Sequence, residues 1–189
     1  MSVSDITELY RRSSAAFGER VHAVEGRWDA ATPCPGWSAH DLVNHLVNEE
    51  RWTPPLFGGA TIEEIGDRFD GDLLGADPVR TWEEAAAAAL AAIEADGALD
   101  RTVHLSFGDH PATEYATQLA ADHLVHAWDL ARAVGADETL DPDAVKYLLA
   151  WFESMEPIYR SMGVIGERAP IPADAGPQTR LLAMFGRRS

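Results

Sequence analysis

Apolar residues recur along much of this chain at spacings of three and four, the period of a helix buried on one side. In residues 3–24 they fall at Ile6, Leu9, Tyr10, Phe17, Val21 and Val24, which predicts a first helix with that face inward. Residues 26–37 include Thr32-Pro33-Cys34-Pro35-Gly36-Trp37, whose prolines and glycine forbid a regular helix. Ser38 then offers an N-cap and Asp41 completes an acidic variant of the capping box. A second helix runs from there to about Trp52 and stops before Pro54-Pro55, with Leu42, His45, Leu46, Glu49 and Trp52 on one stripe facing a core. Residues 58–76 are rich in Gly and Asp and predict a loop with a short helical turn around 62–69.

Asp77-Pro78 pairs a capping side chain with proline at the first helical position and opens a third helix, which alanines 85–89 carry to about Ala95. Gly97 ends it. Residues 102–107 alternate and are followed by Gly108-Asp109, a short extended piece or hairpin arm too small to be a sheet. A fourth helix spans 112–134 with Gly135 as its stop, and Asp141-Pro142 opens a fifth that reaches about Tyr159. In the Pro- and Gly-rich remainder, Leu181, Leu182, Met184 and Phe185 should pack onto the body. Four long helices with apolar stripes predict an all-α four-helix bundle with an additional short C-terminal segment, in a single domain over residues 1–189.

Composition narrows the partners. A 46% hydrophobic content over 189 residues suffices for a sizeable core. The formal charge of −16 repels phosphates, so neither nucleic acid nor an anionic membrane is an expected partner. No basic start leads into an apolar run, and no stretch nears the roughly 20 apolar residues of a membrane span. A soluble cytoplasmic protein, monomer or homodimer, is expected. The single cysteine, Cys34, forms no internal disulfide, in keeping with a reducing compartment.

The candidate chemistry lies in the fourth helix, in Asp122-His123-Leu124-Val125-His126-Ala127-Trp128-Asp129-Leu130. Asp122 and His126 are i,i+4 and share one face, near enough to hold one ion between them. His45 of the second helix supplies a third ligand, and the three would meet in the bundle core. His123 is the competitor for Asp122's place, although it points about 100° away from it on the helical wheel. Glu49 is a candidate fourth ligand or outer partner. A plainer reading stands beside this one: a core histidine held by hydrogen bonds, with Asp122 or Asp129 pairing with an imidazole or with an arginine such as Arg132. His22, His40, His104 and His110 fall near helix ends or in loops and read as surface groups. Cys34 has no sequence-local base and reads as a packed small residue, and Trp37, Trp52 and Trp128 read as core.

Three stretches together resemble a known family. Thr32-Pro33-Cys34-Pro35-Gly36-Trp37-Ser38 followed by Asp41-Leu42-Val43-Asn44-His45-Leu46, and His126-Ala127-Trp128-Asp129-Leu130-Ala131-Arg132-Ala133-Val134-Gly135, are similar to the signatures of the mycothiol-dependent maleylpyruvate isomerase metal-binding domain, of the DinB-like superfamily. The ending Arg180-Leu181-Leu182-Ala183-Met184-Phe185-Gly186-Arg187 resembles the tail of a single-domain actinobacterial branch. The resemblance implies a DinB-like bundle, with His45, Asp122 and His126 as ligands of a divalent metal, zinc first and nickel second. The position of Asp122 is glutamate in the isomerase and histidine in many relatives, so the site here is tighter or reaches its ion through water. Three protein ligands leave an open position, the arrangement of a catalytic site. By analogy, the ion activates the thiol of sugar-linked mycothiol for attack on an electrophilic small-molecule substrate, in an isomerase or S-transferase. The isomerase has a further C-terminal domain that contributes to its active site, whereas here only a short tail follows the bundle, so maleylpyruvate is not the expected substrate. The alternative is a noncatalytic metal-binding or interaction module. An arginine such as Arg51 or Arg180 at an apolar cleft beside the ion would favour the enzyme, and a closed four-ligand shell would favour the alternative.

Overall fold

The computed structural model describes residues 3–163 and 165–188, in two compact units, Met1–Asp137 and Glu138–Ser189. The first unit contains helices α1 (Val3–His22), α2 (Ala39–Phe57), α3 (Ile62–Ile65), α4 (Pro78–Glu94) and α5 (Ala112–Val134), with an antiparallel hairpin of β1 (Thr102–Leu105) and β2 (Gly108–Pro111) before α5. Both α1 and α2 pack against α4 and α5, so α1 and α2 stand on one diagonal of a four-helix bundle and α4 and α5 on the other. This is the all-α bundle expected from the apolar spacing. All six apolar side chains assigned to the inner face of the first helix are buried.

Helix ends depart from expectation where a local rule is outweighed. α1 stops at His22 rather than 24, because Glu25 and Gly26 enter the left-handed region at φ 46° and 86°. Arg27 closes this end. Its Nε donates to the Val24 carbonyl at 3.1 Å, while Nη1 reaches the Val134 carbonyl at the end of α5. One guanidinium thus ties the turn after α1 to the C-terminal end of α5.

α2 begins as predicted, with Ser38 and Asp41 forming the capping box, but it does not stop before Pro54-Pro55. Both prolines lie inside its final turns, where their fixed φ suits a helix and the cost is the missing N–H bonds. Burial of Leu56 and Phe57, each 2% exposed, offsets that cost. The Gly58 N–H returns to the Pro54 carbonyl at 2.9 Å, and Arg101 Nη1 caps the Phe57 carbonyl at 2.8 Å. The turn expected around 62–69 shrinks to α3, started by a second capping box of Thr61 and Glu64. Asp77, as expected, caps α4 through the Arg80 N–H.

The bundle centre is polar at one point. Glu50 of α2 accepts from the Tyr10 hydroxyl of α1, and its other oxygen lies 2.5 Å from His123 Nε2 of α5, off the line of a hydrogen bond. Trp82 of α4 meets the same imidazole edge-on at 5.7 Å, so all four helices converge on it. Ser13 Oγ and His123 Nδ1 are buried there with no hydrogen-bond partner among the described residues.

The second unit holds α6 (Pro142–Ser161), capped by Asp141, and α7 (Pro177–Met184). Leu181, Leu182 and Met184 are buried, and Phe185 stacks on Phe152 of α6 at 4.1 Å. The buried Glu156 carboxylate takes both Arg160 and Arg168. Among the described residues no helix is long and apolar enough to cross a membrane.

Candidate metal centre

Between residues 119 and 131 every position of α5 is buried except Asp122. That opening is where the predicted ligands gather. His45 Nε2 of α2 lies 3.0 Å from Asp122 Oδ2, and His126 Nε2 lies 3.4 Å from Asp122 Oδ1. Donor atoms of His45, Asp122 and His126 all fall within 4.8 Å of one another. Ligands about 2.0–2.2 Å from a tetrahedral ion stand roughly 3.3–3.6 Å apart, so the two separations from Asp122 are close to what a zinc-sized divalent cation needs. The side chains of His45 and Asp122 are 29% and 32% exposed, whereas that of His126 is 7% exposed, so the centre opens toward solvent on the His45 and Asp122 side.

His126 is held from behind. Its Nδ1 pairs with Asp129 Oδ2 at 2.8 Å, one turn further along α5, which leaves Nε2 facing the centre. The Cys34 thiol donates to the same Asp129 oxygen at 3.3 Å and sits 3.9 Å from His126 Nδ1. These three form a second cluster of potential ligands behind the first, sharing His126.

Electrostatics follow from burial and pairing. Burial disfavours charge on Asp122, yet the flanking His126 and His45 rings hold its carboxyl well below the usual carboxylate range. Burial also opposes a charged His126, but Asp122, with Asp129 and Cys34 behind, raises its pKa well above the usual imidazole value. Glu49, one turn beyond His45, is half-buried and pushed up to about 6 by desolvation, which His45 partly counters.

The loop before α2 brings further groups to the centre. Cys34-Pro35-Gly36-Trp37 closes as a type II turn: the Trp37 N–H returns to the Cys34 carbonyl at 3.1 Å, Pro35 presets the first corner, and Gly36 takes φ 81° at the second. Thr32 fastens it, its N–H and hydroxyl donating to the Trp37 carbonyl at 3.0 and 2.9 Å. The indole of Trp37 lies 5.1 Å from the His45 ring and stacks 6.2 Å from the His126 ring. Two sequence readings therefore change. Trp37 is not core but 36% exposed beside the ligands, and Cys34 is not filler but a donor to Asp129. Both belong to the 32–38 motif, a signal of importance with no role attached.

The other sequence candidates sort as follows. Asp129 holds an imidazole, as the plainer reading allowed, while Arg132 lies over the Trp128 ring at 4.7 Å. His123 faces Glu50 in the bundle centre rather than the trio. Arg51 forms no ion pair with the trio, and Arg180 pairs with Glu153 at 3.0 Å. His22, His40, His104 and His110 sit beside carboxylates at exposed or half-buried positions.

Comparison with known proteins identifies the family and the fold. The model of the mycothiol maleylpyruvate isomerase N-terminal domain matches residues 10–131, a segment that contains most of the bundle and the three candidate ligands. The chain belongs to this family. Similar relatives include uncharacterized proteins from two strains of Mycobacterium tuberculosis, each 34% identical over 185 residues covering 94% of this chain and 95% of the relative. Two crystal structures of mycothiol-dependent maleylpyruvate isomerase, one a histidine-to-alanine mutant, share the fold at 18% identity. Their TM-scores are 0.68 for the mutant and 0.65 for the other, with 89% of this chain and 75% of theirs covered.

Within this member of the maleylpyruvate isomerase N-terminal domain family, Asp122 and His123 are separable by experiment. In chelator-competition titrations, Asp122→Ala is expected to weaken divalent-metal affinity by more than about 100-fold, beyond the 10–100-fold typical of losing an outer partner. His123→Ala should stay within about tenfold of wild type, because its ring faces Glu50. The opposite ranking would assign the ligand to the wrong residue.

Proposed function

We propose that this chain is a divalent-metal enzyme, zinc first and nickel second, that activates a low-molecular-weight thiol, mycothiol, for attack on an electrophilic small molecule, as an isomerase or S-transferase. The observation that carries this reading is the trio of His45, Asp122 and His126 converging at the one break in α5's buried stretch. Among the described residues no fourth histidine, cysteine or carboxylate is grouped with all three, so an ion held there would keep a position for water or substrate. Structural zinc sites close their shell with four protein ligands, whereas catalytic sites keep one place for water or substrate.

A divalent ion held by the trio supplies Lewis acidity that lowers the pKa of a thiol or water in the open position. The residues do the rest. Asp129 fixes His126 with Nε2 forward, and Asp122 contributes a negative charge that partly offsets the ion's. Glu49 is the neighbouring carboxyl suited to take up the thiol's proton, since burial holds it near neutral titration. The sulfur then adds to an activated double bond, whose electron pair shifts onto the conjugated acceptor group. In an isomerase, rotation about the resulting single bond and expulsion of the thiolate restore the double bond, whereas in an S-transferase Glu49 returns the proton to the neighbouring carbon and the thioether is released. The second reading, a metal-binding module without catalysis, uses the same ligands and is the one a coordinatively closed site would favour.

The test uses cobalt(II) in place of zinc. Adding mycothiol to the cobalt-loaded protein should produce a sulfur-to-cobalt charge-transfer band, absent in His126→Ala and retained in Cys34→Ala. Glutathione, with its two carboxylates, should bind more weakly to a protein of formal charge −16. If no small thiol perturbs the cobalt spectrum, the thiol-dependent reading fails.

A further inference from the structure

Trp37 is the largest apolar side chain exposed beside the ligand trio, and its position has a use that metal binding does not require. It is 36% exposed while its indole packs against both imidazoles, stacked on His126 at an interplanar angle of 26° and tilted at 53° over His45. The trio's own opening is on the His45 and Asp122 side, and the indole lies 5.1 Å from the His45 ring at that opening. The type II turn holds Trp37 in place before anything binds, and a rigid aromatic with two side-chain torsions loses little entropy on contact. Charge around the trio argues in the same direction. Asp122, Asp129 and Glu49 surround it, and Arg51 pairs with none of the three ligands.

Resting on the thiol-dependent reading above, we propose that Trp37 is a specificity-determining residue whose indole face stacks on a ring carried by the thiol ligand. The ligand class it selects is an uncharged, ring-bearing thiol, such as a sugar-linked one, over a simple or polyanionic thiol. A sugar ring offers an apolar C–H face that covers the exposed indole, whereas a carboxylate there adds negative charge beside the carboxyl groups of Asp122 and Glu49.

The experiment titrates the cobalt-loaded protein with mycothiol and, separately, with N-acetylcysteine, a thiol without a ring, following the sulfur-to-cobalt band. Trp37→Ala is expected to weaken mycothiol binding about tenfold through the lost apolar contact while leaving N-acetylcysteine within about twofold. Trp37→Phe should recover most of the mycothiol affinity. The cobalt ligand-field spectrum and the far-ultraviolet dichroism should match wild type in both variants, which separates ring recognition from damage to the trio or the turn. Equal weakening of both thiols, or no change in either, overturns the assignment of Trp37. A wild-type sample that gives no band with either thiol sinks the thiol reading itself and this inference with it, an outcome distinct from the other two.

Discussion

Protein purified without a metal-affinity tag is expected to carry close to one equivalent of a divalent transition metal, and His45→Ala to carry none. The trio supplies two imidazoles and one carboxylate from α2 and α5, and removing His45 leaves only the i,i+4 pair of a single helix, with no ligand from α2. Helical content should survive, since most buried residues of α2 are apolar and the His45 side chain is 29% exposed. Affinity should also depend on pH in a definite sense. In the metal-free protein His126 keeps its proton above the usual imidazole value of about 6.5, because Asp122 stabilises its charged form against burial. An ion must displace that proton, so apparent affinity rises with pH until the raised pKa is passed and falls as pH is lowered through it. Elemental analysis and titrations across neutral pH check both statements. A metal-free folded protein that takes up no ion, or an affinity that rises as pH falls, would refute them.

The second large effect is on stability. Glu50→Ala should destabilise the bundle by about 2–3 kcal/mol, the upper part of the usual cost of leaving a buried hydrogen-bond donor without its acceptor, since a void is left as well. The Tyr10 hydroxyl would lose the carboxyl it donates to, and the His123 ring would lose its packing neighbour in the bundle centre. For a chain of this size that corresponds to a fall in Tm of roughly 4–12 °C. Glu50→Gln keeps an oxygen for Tyr10 and should cost less. Thermal and denaturant unfolding measure the difference, and a Glu50→Ala protein within about 1 kcal/mol of wild type would show that this network contributes little. Metal content should persist below the melting transition, because Glu50 is not among the trio.

Much of this architecture is legible in the chain because it depends on local rules. The period of Ile6 through Val24, the Ser38 and Asp77 caps and the Gly135 stop each report a helix without reference to the rest of the molecule. The α2 end is not legible in the sequence because the penalty of Pro54-Pro55 is local while its compensation, the burial of Leu56 and Phe57 and the reach of Arg101, is tertiary. The same division runs through the site. Asp122 and His126 share a helix face by spacing alone, and His45 falls on the core-facing stripe of α2 with Leu42 and Leu46, a reading to which the family resemblance adds weight. Cys34 lies 95 positions from Asp129, and no periodicity reports such a pairing. His123 was placed off the ligand face by helix geometry, but its partners Glu50 and Tyr10 come from two other helices.

The loop of residues 32–38 sets where this chain tolerates added sequence. Within seven positions it supplies a thiol to Asp129, an indole beside the ligands and the side chain that starts α2. A single inserted residue there would shift at least one of these out of register, so unrelated functions are forced to change together. The hairpin tip at Ser106 and Phe107 carries no such burden: it lies exposed between two four-residue strands. A fluorescent label, an epitope or a grafted peptide belongs at that tip, where a lengthened loop costs little chain entropy and leaves the centre's geometry alone.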